Sequence, residues 1–529
     1  MGILAALLAV ALVAGALHHY TAATQRLAER YVRALATREL RFKFETLTLQ
    51  RAALAETDIL PLYGTSELYC CAGAYNATYF FNNAPTGFAV FAVGHYTTKE
   101  LLWAQTFADL GSALRGKRLV VSDSPWYFYN ETPQEFARNF SPEVTTVFTF
   151  DAPVPWKLRS ALAKQIVAFP GPLQGRTLLL RALKDAAQGG WRGHLSFWLL
   201  DPSGRVAAWR LEIQDAAETR QVLDEMVRPA PRMLSTVLDG VTARLGGFPR
   251  LQLWWEDLLQ PPTALTLTQP LWKQMADPVY SSQPPLSANV PNQPRTIDWN
   301  AELAQASQQA AASTNNPFGV SPGPWNSCGD IQPVGGGLCQ QALAWYDQGL
   351  SNHTGALAPV PAAWVQNVET CTCWTDLDLM LEVLRTVQAR PLIWLQPLQG
   401  ALEDETPYSA QARRMIYDRY LAIARAEGIP ATTFQTHDTD PLYVNSFGHM
   451  SQRGWIYADR LMNLFWHGQL GEVRSEMAVG GSVDLLFPPA LNCPTPAVCQ
   501  GVDDVPPIPG EMANLPVGLA MPLPVSKGG

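Results

Sequence analysis

Between Ile59 and Ser122, three short apolar runs closed by glycine or hydroxyl residues alternate with helical spacing, and this order restricts the fold more than any other feature. Ile59 to Tyr63 reads as a buried strand ended by Gly64-Thr65-Ser66. Phe88 to His95 is a second run with Gly94 near its end, and Leu119 to Ser122 is a third, after the basic turn Arg115-Gly116-Lys117-Arg118. Thr98 to Leu114, between the second and third, has helical spacing. Strand, glycine, helix, strand is the order of a parallel sheet, because parallel neighbours need a crossover long enough to hold a helix. Open α/β sheets keep their chemistry at the C-terminal ends of the strands. Ser66 falls there, and so does the loop Ser124-Pro125-Trp126-Tyr127-Phe128-Tyr129.

The pattern returns late in the chain. A helix is predicted from Asp376 to about Gln388, a strand over Leu392 to Leu395, and a long helix from Ala410 to Glu427, stopped by Gly428-Ile429-Pro430. Ile297 to Ala312 reads as a helix capped by Asp298. The middle is less regular. Leu195 to Leu200 and Val206 to Ile213 flank the turn signal Asp201-Pro202-Ser203-Gly204, which predicts a β-hairpin within helical surroundings. Residues 151–295 are read as an α+β insertion that roofs or flanks the sheet, split from the second half of the sheet domain by proline-rich linkers at Gln260 to Thr263 and Ser282 to Arg295. The expected order is a membrane segment over 1–20, an amphipathic helix within 21–47, sheet-domain halves at 48–150 and 296–480, and a Pro/Gly-rich tail over 481–529.

A chain of 529 residues exceeds a single core, which stops growing near roughly 250 to 300 residues. Hydrophobic content of 47% with 16% charged residues describes a folded protein. A net charge of −8 argues against a nucleic-acid partner. The apolar run Ile3 to Ala14 predicts an N-terminal membrane anchor or an export signal with Ala14-Gly15-Ala16 as cleavage site, and either places the bulk of the chain outside the cytoplasm. Thr21 to Glu39 carries Leu27, Tyr31, Val32 and Leu35 at helical spacing with arginines between, as in an amphipathic helix leaving a membrane. Eight cysteines, Cys70, Cys71, Cys328, Cys339, Cys371, Cys373, Cys493 and Cys499, fit an oxidising compartment. No metal site follows from them, since Cys371-Thr372-Cys373 has one residue between its thiols and no accompanying Cys-x-x-Cys or histidine pair. Cys493 and Cys499 bracket a proline-rich loop and are candidates to pair locally.

A serine is a weak nucleophile until a base takes its proton, so Ser66 needs a histidine. Asn445-Ser446-Phe447-Gly448-His449-Met450-Ser451-Gln452-Arg453-Gly454-Trp455 offers His449 in a polar loop just before an apolar helical pattern. Serine early and histidine late on an α/β scaffold is the order of the SGNH hydrolases. These blocks also resemble a particular family. Gly64-Thr65-Ser66-Glu67-Leu68 is similar to the Gly-Ser-Ser-Glu-Leu block of the DltD family, and His449 through Trp455 is similar to its His-x-Gly-Trp-x-Gly-Trp block, with Ser451 and Gln452 in place of the first Gly-Trp. Ser124-Pro125-Trp126-Tyr127-Phe128, Asn315-Asn316-Pro317-Phe318-Gly319 and Asp376 to Leu384 resemble further family stretches in the same order, from about Leu49 to Phe465.

The resemblance implies an SGNH-hydrolase-like parallel sheet flanked by helices with an N-terminal transmembrane helix, and an extracytoplasmic acyltransferase. In that family D-alanine passes to teichoic acid, delivered by a membrane-bound O-acyltransferase; no metal or organic cofactor is implied. Ser66 is then the nucleophile and His449 the general base. Backbone donors at Ser66 and Gly94 are oxyanion-hole candidates. The family places an aspartate three residues before the histidine, where this chain has Ser446. The orienting role then passes to Asp438, Asp440 or another carboxylate, or the site works as a Ser-His dyad. Trp126, which replaces a family glutamine, and Arg453, the evident cation beside the site, are substrate-site candidates. Two rival readings remain at this point: hydrolysis of an ester or thioester by the same residues, and a non-catalytic scaffold for the O-acyltransferase. The acceptor is either a polyanionic envelope polymer or a neutral glycan or glycolipid hydroxyl, because Gly64 to Thr98 holds no lysine or arginine.

Overall fold

The computed structural model describes residues 2–36, 42–68, 77–83, 88–94, 98–227, 297–313, 361–398, 400, 409–438, 440, 443 and 450–470. His449, Ser446, the Asn315–Gly319 block, six of the cysteines (Cys70, Cys71, Cys328, Cys339, Cys493 and Cys499), the proline-rich linkers and the tail lie outside the described residues.

Five parallel strands form one sheet in the order β2-β1-β3-β4-β5. They are β1 (Ile59–Gly64), β2 (Ala89–Gly94), β3 (Arg118–Asp123), β4 (Arg390–Leu395) and β5 (Ala431–Thr433). Continuous apolar runs follow from burial on both faces. Ile59, Tyr63, Phe91, Val93, Leu119, Val121, Ile393 and Leu395 enter one core, while Leu60, Leu62, Val90, Ala92, Val120, Leu392 and Trp394 enter the other. That is the period of two expected of a strand. Pro61 lacks an N–H, and it is tolerated in an inner strand because the β1–β3 ladder begins only at Leu62. Pro391 repeats the device, since β4 pairs with β5 only from Ile393.

Helices cover both faces. One layer holds α1 (Gly2–Ala36), α2 (Leu47–Ala55) and α4 (Glu100–Leu110), and on the other face lies α3 (Ala77–Asn83). Every residue of α4 is buried, which explains why its sequence lacks a polar face. After β3 come α5 (Pro133–Asn139), α6 (Pro142–Phe150), α7 (Trp156–Val167), α8 (Thr177–Gln188) and α9 (Gly190–Val227). The later helices are α10 (Trp299–Ser313), α11 (Pro361–Thr370), α12 (Cys373–Thr386), α13 (Ala410–Ala426) and α14 (Gln452–His467). Asp298 caps α10 as predicted, accepting the N–H groups of Asn300 and Ala301 at 3.2 Å each. Cys371 and Cys373 are bonded to each other at the start of α12.

Three readings of the sequence change. The β-hairpin over Leu195 to Ile213 does not form: the segment is part of the single helix α9, with Pro202 inside it. Tertiary packing overrides the local turn signal there. Gly204 is where α9 crosses the Phe150 ring, so closely that a Cβ would lie 2.0 Å from it, and Asp201 accepts from Arg205 one turn on rather than closing a reverse turn. Residues 151–227 are therefore helical, and the α+β insertion has no strand among its described residues. Secondly, the helix read from Thr21 is no separate element but continues the N-terminal helix without a break, with the apolar residues Tyr31, Val32 and Leu35 packed into the core. Among the described residues no helix is long and apolar enough to cross a membrane; the side chains of Gly2 to Leu7 lie outside that description. Finally, β5 is an additional strand.

Pro202 separates the two readings of 195–213 by sign. In a helix interior proline costs ~3 kcal/mol relative to alanine, against ~0.4 to 1 kcal/mol from the freer unfolded chain. Pro202→Ala is thus expected to stabilise by about 2 kcal/mol, read as a higher midpoint in chemical denaturation. A turn at 201–204 would give the opposite sign.

Candidate functional site

Strand order puts β1 where the crossovers reverse direction: β2 lies on one side of it and β3 on the other. Ligands of open α/β sheets bind in the crevice at the C-terminal ends of the strands beside that reversal. Three turns meet there. β1 ends at Gly64, and Ser66–Leu68 follow as a 3-10 turn with the backbone of Ser66 at its first position. Gly94, at the end of β2, is the register partner of Gly64, so the two oxyanion-hole candidates stand on adjacent strand ends. After β3, Pro125–Tyr127 form a second 3-10 turn whose N-cap, Ser124, accepts the Trp126 N–H at 3.4 Å. It leans toward the first turn, with the Tyr127 hydroxyl 3.4 Å from Thr65 Oγ1. Trp126 is half-buried against the larger core.

His449 lies outside the described residues, but both sides of its loop are fixed. The Ser451 N–H donates to the Tyr443 carbonyl at 2.9 Å across the base of the loop. Ser451 then caps α14 by accepting the N–H groups of Arg453 and Gly454. Gly454 has to be glycine, because a Cβ would lie 2.7 Å from that same Tyr443 carbonyl. Met450, Tyr443 and Trp455 belong to the core cluster that also holds Leu62 and Leu68. Residues flanking the histidine and the serine are thus packed on one side of one sheet edge, as the pairing of the two blocks requires.

The two aspartates offered as orienting acids are both engaged. The Asp438 carboxylate accepts the Arg413 guanidinium at 2.6 Å, the Tyr417 hydroxyl and the Leu398 N–H at 3.0 Å, and it is buried. Burial raises its pKa, with Arg413 pulling the other way. Asp440 accepts Arg453 Nε at 3.1 Å and lies 3.4 Å from His437 Nδ1. Arg453 is corrected as a cation facing substrate. It is fully buried, bound to Asp440 and to Ser307 of α10 at 2.7 Å, and lies over the Tyr457 ring. It ties α14 to the preceding loop and to α10.

Lys99 was missed, standing one residue beyond the stretch without cations. It is the N-cap residue of α4, buried, with its ammonium 4.1 Å above the centre of the Tyr129 ring. Around it and below the crevice runs a series of buried carboxylates. Burial pushes Asp376 up to about 8, aided by the charge of Glu131 and opposed by Lys99. Burial, with Asp123 nearby, raises Glu100 well above the carboxylate range. Burial pushes Asp123 up to about 7, although the Tyr420 hydroxyl donates to it at 2.7 Å. In the sequence Asp123 ends β3, and Glu100 and Asp376 stand in the first turns of α4 and α12; no spacing rule groups these positions together.

Residues 37–333 and 365–467 match the DltD protein family. This chain belongs to that family. A member named Protein DltD, from Bacillus subtilis strain 168, is 22% identical over 436 residues, covering 82% of this chain and 88% of its own length. The blocks around Ser66 and Gly454 both fall within the matched residues.

The raised carboxylates fix how stability depends on pH. Between pH ~4, where an unfolded aspartate titrates, and about 8, the folded chain holds a proton on Asp376 that the unfolded chain releases. Stability from this group is complete below that window and is lost as pH rises through it. Asp376→Asn keeps the shape without the charge, so its melting temperature should exceed wild type at pH 8 by at least ~3 °C, with the difference shrinking as pH falls toward ~4. Equal differences at the two pH values contradict this account.

Proposed function

We propose that this DltD-family chain is an extracytoplasmic, membrane-anchored acyltransferase of the SGNH-hydrolase type, in which Ser66 carries an acyl group and passes it to a hydroxyl of a cell-envelope polymer. The observation that carries the reading is the convergence at one sheet edge of the Ser66 turn, Gly94 and the residues flanking His449. Ser66 attacks the acyl donor as His449 takes its proton, and the tetrahedral oxyanion is met by the N–H groups of Ser66 and Gly94. The leaving group takes the proton from His449; the acceptor hydroxyl then gives its own to His449 as it attacks the acyl group, the ester bond to Ser66 breaks, and His449 returns that proton to the departing Ser66 oxygen. With Ser446 in the family's aspartate position, His449 is oriented by Asp438, Asp440 or another carboxylate, or the site works as a Ser-His dyad. A dyad turns over slowly, and slow turnover suits a protein that hands groups between membrane partners. By family resemblance the acyl group is D-alanine, the donor side is a membrane-bound O-acyltransferase, and the apolar run Ile3 to Ala14 is the anchor.

A specific observation bears on the acceptor. Lys99, Arg413 and Arg453, cations placed at this edge among the described residues, are all buried and neighboured by carboxylates. They do not make the exposed basic surface that attracts a polyphosphate chain. A neutral glycan or glycolipid hydroxyl is therefore the second reading of the acceptor beside teichoic acid. Both are tested by comparing envelope polymers of wild-type, Ser66→Ala and His449→Ala strains by mass spectrometry after mild base, which releases esters. Loss of an ester in both variants, with protein levels unchanged, is expected, and the polymer that lost it names the acceptor. Normal ester levels in both variants overturn the function.

A further inference from the structure

Glu67, beside the serine, has no role in the chemistry above, yet the fold goes to some length to bury its charge. Its side chain is 1% exposed. One carboxylate oxygen accepts the Thr65 N–H at 2.8 Å, and the other accepts the Thr65 hydroxyl. The Ser122 hydroxyl, on the neighbouring strand β3, lies near the same carboxylate and favours its charged form, while its own oxygen accepts the Trp394 indole N–H at 2.8 Å. Trp394 is fully buried in β4, so the contacts run from the serine turn through β3 into the next strand. Gly64 completes the arrangement. A Cβ at that position would lie 2.4 Å from Glu67 Oε1, so the strand has to end in glycine for the carboxylate to fold back under it.

A buried carboxylate is costly, and an apolar side chain of similar size would give equal or better stability at most sites. What the carboxylate supplies here is acceptor capacity in two directions at once. Thr65 N–H and Thr65 O–H both point at it, and a carboxamide has a single oxygen to offer them, with its NH2 facing a donor.

We propose that Glu67 is a positioning residue for the nucleophile: its carboxylate, braced by Ser122 and Trp394, locks the backbone of Thr65 and so fixes where Ser66 and its N–H project from the end of β1. This inference rests on reading Ser66 as the nucleophile. It assigns Glu67 no contact with substrate, and places its effect in the chemical step, since a small misplacement of a nucleophile is felt in turnover rather than in binding.

The test uses the full chain in detergent, comparing wild type, Glu67→Gln, Gly64→Ala and Ser66→Ala. Turnover of a small acyl ester, Ser66 labelling by a fluorophosphonate and amide hydrogen exchange across 64–68 are measured together. Glu67→Gln is expected to keep the wild-type melting temperature within a few degrees. Its kcat and labelling rate should fall about 10- to 100-fold with KM within about twofold, while exchange at 65 and 66 speeds up. Gly64→Ala, which pushes the carboxylate from beneath the turn, should do the same, and Ser66→Ala marks the background. A merely structural role predicts a lower melting temperature with unchanged kcat per folded molecule, and that result overturns the proposal. If wild type itself is unlabelled at Ser66, the nucleophile assignment fails and Glu67 is judged on exchange alone. Faster exchange in Glu67→Gln then supports the lock on the turn, and unchanged exchange rejects it.

Discussion

The structure depends on one constraint: β1 is paired on both sides, to β2 through Gly64↔Gly94 and to β3 through Tyr63↔Val121. A strand hydrogen-bonded on both edges and buried on both faces can leave the sheet only at its end. The next residues must turn sharply, and every polar group in that turn needs a partner inside the protein. Thr65, Glu67, Ser122 and Trp394 supply those partners to each other. The reversal of crossover direction at β1 opens the crevice at the same place, so topology and hydrogen bonding together select the site.

Charge burial is the second theme of that edge. Glu67, Glu100, Asp123 and Asp376 are all raised by burial, and Lys99 lies among them. Removing water from a crevice strengthens each electrostatic interaction within it and slows competing hydrolysis of a bound acyl group. A transfer protein gains from both effects. The penalty is the desolvation of each charge, so that neighbouring acids limit how many can ionise together.

The central sheet was readable because strands buried on both faces are continuous apolar runs, and β1 to β4 lie where those runs fall. β5 escaped because Ala431-Thr432-Thr433 is three residues without a large apolar side chain. The hairpin reading failed for a physical reason: Asp201-Pro202-Ser203-Gly204 scores as a turn from backbone preferences alone, while the contact of Gly204 with Phe150, distant in sequence, decides in favour of helix. The place of the serine block at the end of β1 followed from motif and order. The roles of polar residues around the site did not, because Arg453 looks like a surface cation in sequence and is fully buried in fact. Glu67 is similar: its place in the serine block was visible, and its contacts with Thr65 and Ser122 were not.

The central claim is that Ser66 bears the acyl group covalently between donor and acceptor. Peptide mass spectrometry of the acid-quenched protein, taken from membranes that are actively forming esters, tests it most directly. The account predicts an acyl adduct on the peptide containing Ser66, absent from Ser66→Ala. Ester formation at a normal rate with the Ser66 peptide unmodified, and no loss of that rate in Ser66→Ala, would contradict it.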